Sequence, residues 1–155
     1  MKAKAYIFIV AALCLGGLAK AQTKSVYDAA LAQRLGADDY GMRQYVMAFL
    51  KTGPTKITDK AELTKLQMAH LQNIERLAKE GKLAVAGPFT DGKEIEGIFV
   101  FNVKTVEEAK ALTETDPGIK AGVFVMELHP FYCSAALGEI VSIHDRIQKK
   151  GITEP

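Results

Sequence analysis

Residues 59–89 read D-K-A-E-L-T-K-L-Q-M-A-H-L-Q-N-I-E-R-L-A-K-E-G-K-L-A-V-A-G-P-F. This stretch is a long helix, a glycine stop and a strand. Asp59 can accept a backbone N–H of the first turn and Glu62 can reach back, the pattern of a capping box. Gly81 stands where a left-handed residue ends a helix, and Lys79 lies near the negative end of the helix dipole. At about 100° per residue, Leu63, Leu66, Ile74, Leu77 and Ala78 share one face. His70 falls in the middle of it. Glu62, Lys65, Glu75, Arg76, Lys79 and Glu80 mostly lie away from it. An imidazole on an apolar stripe is costly unless a partner meets it, so a polar group is expected opposite His70. On spacing alone, a satisfied core histidine and a functional one are both open.

Working outward, the chain before the helix carries a β-rich run, Arg43 to Lys51. Tyr45, Met47 and Phe49 alternate with Val46, Ala48 and Leu50. Both faces are apolar, which suits a central strand. Thr52-Gly53-Pro54 breaks it. After the helix, a strand is expected over Lys82–Gly87, a hairpin turn at Thr90-Asp91-Gly92-Lys93, and a partner strand over Glu96–Val103. Thr105 and Glu108 form a second capping box, opening a helix that runs to about Thr113. Asp116-Pro117 is read as ending that helix, because the residue before proline avoids the helical region. Lys120–Leu128 is the last strand.

The order strand, helix, strand, strand, helix, strand is the split βαβ arrangement of an α+β, ferredoxin-like fold. Right-handed crossovers put both helices on one face of a four-stranded antiparallel sheet. The other face is left open and apolar, and a homodimer closing two such sheets on each other would cover it.

The ends are extensions. Met1-Lys2-Ala3-Lys4 is a basic start, Ala5 to Leu18 an uncharged apolar run, and Ala19-Lys20-Ala21 a small-residue cleavage site. Residues 1–21 are therefore expected to be a signal peptide, which places the mature protein outside the cytoplasm, in a periplasm or the extracellular space. Residues 22–42 form an N-terminal extension in which Val26, Ala29, Ala30 and Leu35 could dock a short helix ended by Gly36. Residues 43–131 are the domain. Residues 132–155 are a C-terminal extension, with Ser134 as N-cap and a helix from Ala135 to Lys150.

Removing residues 1–21 takes Lys2, Lys4 and Lys20 from the 20 basic residues. It leaves 17 against 18 acidic ones, a net charge of −1. No basic patch with interleaved aromatics remains, so nucleic acid is not an expected partner. No membrane association is expected once the leader is gone. The single remaining thiol, Cys133, has no disulfide partner in the mature chain and no neighbouring base in sequence, which reads as a packing residue rather than a nucleophile. His70, His129 and His144 lack metal-ligand spacing, and there is no phosphate loop, dinucleotide fingerprint or G-x-S-x-G. Neither a metal nor a cofactor is expected.

His70-Leu71 through Glu80-Gly81-Lys82-Leu83, Ala86-Gly87-Pro88, Asp116-Pro117, Ala121-Gly122-Val123 and Pro130-Phe131 together resemble the YCII-related family. The resemblance spans about residues 43–131. It implies a ferredoxin-like fold assembled as a dimeric α/β barrel, with a histidine of the first helix and an aspartate before proline as a catalytic pair. Here these are His70 and Asp116. One branch of the family removes chloride from chlorinated hydroxyhydroquinones. Gly87 and Pro88 match the family's A-G-P turn. Gly118 departs from the bulky residue the family often places after D-P, and could open the pocket. Lys51 begins a loop that the topology brings to the same sheet end as the Pro88–Lys93 hairpin and the Asp116–Pro117 turn. Lys51, Gly87, Pro88 and Gly118 are thus candidate substrate contacts.

An aspartate beside an imidazole fixes its tautomer, as a general base requires. Asp116 can equally be a turn residue, and Gly87-Pro88 simply a strand end. Two functions follow. One is an exported enzyme doing lyase, isomerase or dehalogenase-like proton transfer on a small hydroxylated, aromatic compound. The other is a non-catalytic ligand-binding or interaction dimer, in which His70 and Asp116 are a structural pair.

Overall fold

The computed structural model describes residues 26–154. The signal peptide expected over residues 1–21 lies outside the described residues. The elements run α1 (Ala29–Leu35), β1 (Met42–Thr52), α2 (Lys60–Lys79), β2 (Leu83–Pro88), β3 (Ile95–Phe101), α3 (Val106–Thr113), α4 (Pro117–Lys120), β4 (Phe124–Ser134), a 3-10 turn (Ala135–Glu139) and α5 (Ile140–Ile147). The strands form one sheet in the order β2-β3-β1-β4, every neighbouring pair antiparallel. This is the expected ferredoxin-like α+β architecture.

Alternation along β1 divides the core in two. Val46, Ala48 and Leu50 point to the helices and pack with Leu77 of α2, Ala109 of α3, and Leu83, Phe99 and Phe101. Tyr45 and Val100 point the other way, with Ala84, and pack with Met47, Phe131, Cys133 and Leu137. Cys133 is thus a half-buried filler. The second sheet face is therefore not bare, as the alternation alone suggested. Its Tyr45 end is covered by the 3-10 turn, whose Ala135 carbonyl accepts the Tyr45 hydroxyl at 3.1 Å.

The helix limits follow the capping chemistry. Asp59 accepts the Glu62 N–H at 2.8 Å. At the far end, Gly81 adopts φ 68°, while its N–H bonds to Ala78 O and that of Lys82 to Leu77 O, both at 2.9 Å. This pair of bonds is a Schellman motif, which a side chain at Gly81 would strain. The reciprocal capping box forms fully at α3, between Thr105 and Glu108. There the backbone N–H groups of Thr105 and then Lys104 hold the Glu108 carboxyl below its ordinary 4.5. A lowered folded pKa contributes stability that is present above the unfolded value and is lost as pH falls through the folded one. Glu108→Gln is therefore expected to destabilise the protein at neutral pH, with the difference closing as urea melts are moved below pH 4.5. A difference that stays constant into acid would refute that origin.

Four expectations need correction. The last strand begins at Phe124 and runs to Ser134, not Lys120–Leu128. Pro130 does not end it, because β4 is an edge strand where a missing N–H breaks no ladder bond. Asp116 does not end α3, which is closed by Glu114; it is the N-cap of α4, with Pro117 in the first helical position. The tail is not one helix from Ala135 to Lys150. It is a 3-10 turn followed by α5, and Gly138 within the turn lets Leu35 of α1 approach to 3.4 Å of where a Cβ would stand. In the N-terminal extension, Val26, Ala29 and Ala30 stay exposed, and Leu35 of α1 makes the docking contact.

Candidate active site

His70 lies halfway along α2 on the buried stripe, flanked by the rings of Phe99 at 6.0 Å and Phe124 at 5.0 Å between centroids. The polar group opposite it is Asp116, only 1% exposed. Its position comes from the short α4 helix. Oδ1 accepts the N–H groups of Gly118 at 2.8 Å and Ile119 at 3.3 Å, as an N-cap aspartate does. That leaves Oδ2 aimed at α2. It lies 2.7 Å from His70 Nδ1 and accepts the Asn73 side-chain amide at 3.2 Å.

These contacts assign the donor role to the ring nitrogen that faces the carboxylate. Three N–H groups already treat the Asp116 carboxylate as an acceptor, so the fourth contact places an N–H at His70 Nδ1. In its neutral form such a ring carries its lone pair on Nε2. Among the described residues, Asn102 Oδ1 is the one fully buried side-chain polar atom without a partner. His70 Nε2 has no protein partner either, so it must reach solvent. A buried carboxylate behind an imidazole whose far nitrogen is free and wet can take a proton from a small molecule and return it.

The other candidates are placed differently. Gly118 is buried beneath the pair, and a Cβ there would lie 2.6 Å from the Phe124 ring. The space that a glycine leaves at this position is filled by Phe124, which closes on His70. Gly87 and Pro88 end β2 opposite Ile98 and Gly97 of β3. Lys51 does reach the sheet end where the loops gather. There the Gly53 N–H bonds to Val123 O at 2.7 Å and Thr52 Oγ1 to Glu96 at 2.5 Å. Lys51 follows Leu50, however, and so projects from the face opposite the helices. Its ammonium meets Glu127 at 2.7 Å and Glu94 at 3.7 Å, and His129 meets the same Glu127 at 2.9 Å. The Glu127 carboxylate holds Lys51 above its ordinary pKa, and Lys51, then His129, hold Glu127 below its own.

Surface cavities among the described residues include the following two. One, about 250 Å³, lies between α2, β2 and α5, lined by Ile74, Ala78, Leu83, Ala86, Ile140 and Val141 among others. The second, about 350 Å³, sits on the β2–β3 hairpin around Phe89 and Ile95. Neither is lined by His70 or Asp116. Among the described residues, no group of three or more His, Cys, Asp or Glu side chains is arranged to hold a metal ion. No helix among them is long and apolar enough to cross a membrane.

Sequence reasoning missed Asn73. One hint was its spacing: it sits three residues after His70 on the same edge of α2, whose buried residues are His70, Asn73 and Leu77. It is 8% exposed.

The profile of the YCII-related domain matches residues 44–132. The chain belongs to the YCII-related family. The matched residues begin in β1 and end within β4, so α2, the Asp116 turn and all of the sheet but the outer ends of β1 and β4 fall inside the YCII-related domain, while α1, the 3-10 turn and α5 lie outside it. No curated protein matches the chain. Among solved structures it is similar to 5-chloro-2-hydroxyhydroquinone dehydrochlorinase from Burkholderia phenoliruptrix AC1100, in complex with 2,5-dihydroxybenzoquinone. That likeness has 24% sequence identity and a TM-score of 0.41, covering 57% of this chain and 93% of the other.

Proposed function

We propose that this YCII-related protein is a small exported enzyme that uses His70 and Asp116 for acid–base chemistry on a small hydroxylated aromatic compound, as a lyase, isomerase or dehalogenase. The observation that carries the reading is the 2.7 Å contact between Asp116 Oδ2 and His70 Nδ1, with Nε2 left free. Nε2 is the atom that accepts or donates the substrate proton, and Asp116 orients the ring. Gly118 shapes the site through Phe124, and Gly87 and Pro88 remain candidate substrate contacts through the family's A-G-P turn alone. Lys51 would meet substrate only from the other sheet face. The test is turnover of a panel of hydroxyhydroquinones with and without chlorine, followed by absorbance and chloride release. Conversion of at least one compound supports the reading. No conversion, and no rise of melting temperature with any of them, would overturn it.

A second reading is a non-catalytic binding dimer of the same family. It is favoured by the internal saturation of Asp116, whose carboxylate is fully occupied by contacts within the chain. Ligand-induced stabilisation without conversion would select it.

The assembly in both readings is a homodimer joined through the sheet faces. Met47, Phe49, Ile98 and Val125 line the part of that face which the tail leaves open, and Val125 is 42% exposed. Light scattering at micromolar concentration is expected to give twice the chain mass; a monomer there would count against the sheet-to-sheet dimer. Export is expected to remove residues 1–21, so the intact mass of the envelope fraction should correspond to a chain beginning at Gln22. A mass that retains Met1–Ala21 would defeat the export proposal.

A further inference from the structure

We infer that Asn73, held by Arg76, is a positioning residue that keeps the Asp116–His70 pair in the one arrangement that leaves His70 Nε2 bare. This inference rests on the acid–base reading above. A side-chain amide has a donating end and an accepting end, and its neighbours decide which way it faces. A guanidinium only donates. Arg76 Nη2 lies 2.8 Å from the Asn73 oxygen, so the oxygen faces Arg76 and the NH2 faces Asp116 Oδ2 at 3.2 Å. A flipped amide would set NH2 against guanidinium and oxygen against carboxylate.

Arg76 is itself fixed. Its Nη1 donates to both Glu80 oxygens, at 2.9 and 3.0 Å, and its Nη2 also donates to Thr115 Oγ1 at 2.9 Å. Residues 70, 73, 76 and 80 follow one edge of α2 at spacings of three and four. A single rigid helix therefore carries the whole row, and only Asp116 and Thr115 come from elsewhere. Asn73 is the link between the half-exposed Arg76–Glu80 pair and the buried carboxylate. Asparagine has weak helix propensity, and an apolar side chain at a buried helical position would pack without needing partners. Its placement here is explained by the bond to Oδ2.

The consequence is local. Oδ2 has two partners, His70 Nδ1 and the Asn73 amide. With the second donor present, Oδ2 is fixed in direction and holds the ring's N–H at Nδ1. Without it, Oδ1 stays capped by Gly118 and Ile119 but Oδ2 loses its second anchor, so the carboxylate can twist, the Nδ1 contact lengthens, and a ring turned away from it samples the Nε2–H tautomer as well. Outer partners that orient metal-bound histidines are worth about 10–100-fold when removed, and a similar loss is expected for this carboxylate–imidazole pair.

The test uses full-length mature protein labelled with 15N at histidine. The variants are Asn73→Ala and Arg76→Met; the second alters a side chain 44% exposed and keeps the protein folded if the first does not. Wild type should show a single neutral His70 tautomer, with hydrogen on Nδ1. Asn73→Ala should show mixed tautomers and a kcat lower by about tenfold or more with KM little changed. Arg76→Met should move both readouts in the same direction by less. A purely structural link would lower the melting temperature and leave the tautomer and kcat alone. A folded variant with the wild-type His70 spectrum would therefore overturn the inference, even where His70 itself proves essential. If His70→Asn leaves turnover intact, the acid–base reading fails instead, and the tautomer ratio still reports on Asn73.

Discussion

Replacing His70 by asparagine is expected to lower turnover by about 10²–10⁴-fold, the usual worth of a positioned general base. The protein should stay folded. The asparagine amide stands near the place of Nδ1 and can still donate to Asp116 Oδ2, so the buried carboxylate keeps its partner. What disappears is Nε2, the group that reaches solvent. Losing the ring's contacts with Phe99 and Phe124 should cost no more than an ordinary point mutation, about 1 kcal/mol. Steady-state kinetics and a thermal melt on the same preparation check both halves. A variant that melts far below wild type and keeps its specific activity would show the pair to be structural.

Asp116→Ala should have the opposite signature, a large loss of stability. The carboxylate accepts from four donors while almost fully buried. Alanine removes the cap of α4, and it leaves the His70 Nδ1 proton and the Asn73 amide in the interior without an acceptor. Breaking a buried pair from one side costs about 3–5 kcal/mol, which for a chain of this size lowers the melting temperature by roughly 10–15 °C. Asp116→Asn separates the two roles. Its oxygen can still cap Gly118 and Ile119, but its NH2 then faces two donors. The ring must give up its Nδ1 proton, so activity should fall further than stability. An Asp116→Ala variant that melts within about 2 °C of wild type would mean that the four bonds contribute little, against what buried acceptors normally contribute.

The parts of the fold that the sequence announced are those written in short-range chemistry. Asp59 and Gly81 bracket α2, and Thr105 with Glu108 opens α3, because caps involve residues three or four apart. Alternation placed β1 at the centre of the sheet, and β1 does pair on both sides. The misreadings came from residues whose meaning depends on distant neighbours. Pro130 looks like a stop until β4 is seen to be an edge strand. Asp116-Pro117 looks like a helix end, yet aspartate followed by proline is equally a helix start, and here the start is what aims Oδ2 at His70. Gly138 is unfavourable inside a helix, and its place is explained by Leu35, about a hundred residues earlier. Lys51 was grouped with the site by loop position, although its alternation with Leu50 already put it on the far face.

The pair itself was legible from one side. A histidine on an apolar stripe requires a partner, and the family pattern supplied Asp116. Asn73 was not: its spacing from His70 could be read, but what its amide does is decided only by Arg76 and Asp116 around it.

The most direct test of the central claim is a crystal structure of the protein with a hydroxylated aromatic ligand soaked in. The account predicts a ligand oxygen or reacting carbon about 2.6–3.2 Å from His70 Nε2, the reach of a proton-transferring base, with the Nδ1–Asp116 contact unchanged. A ligand seated in the groove under α5, or an Nε2 closed off by protein so that no ligand atom can approach it, would contradict it.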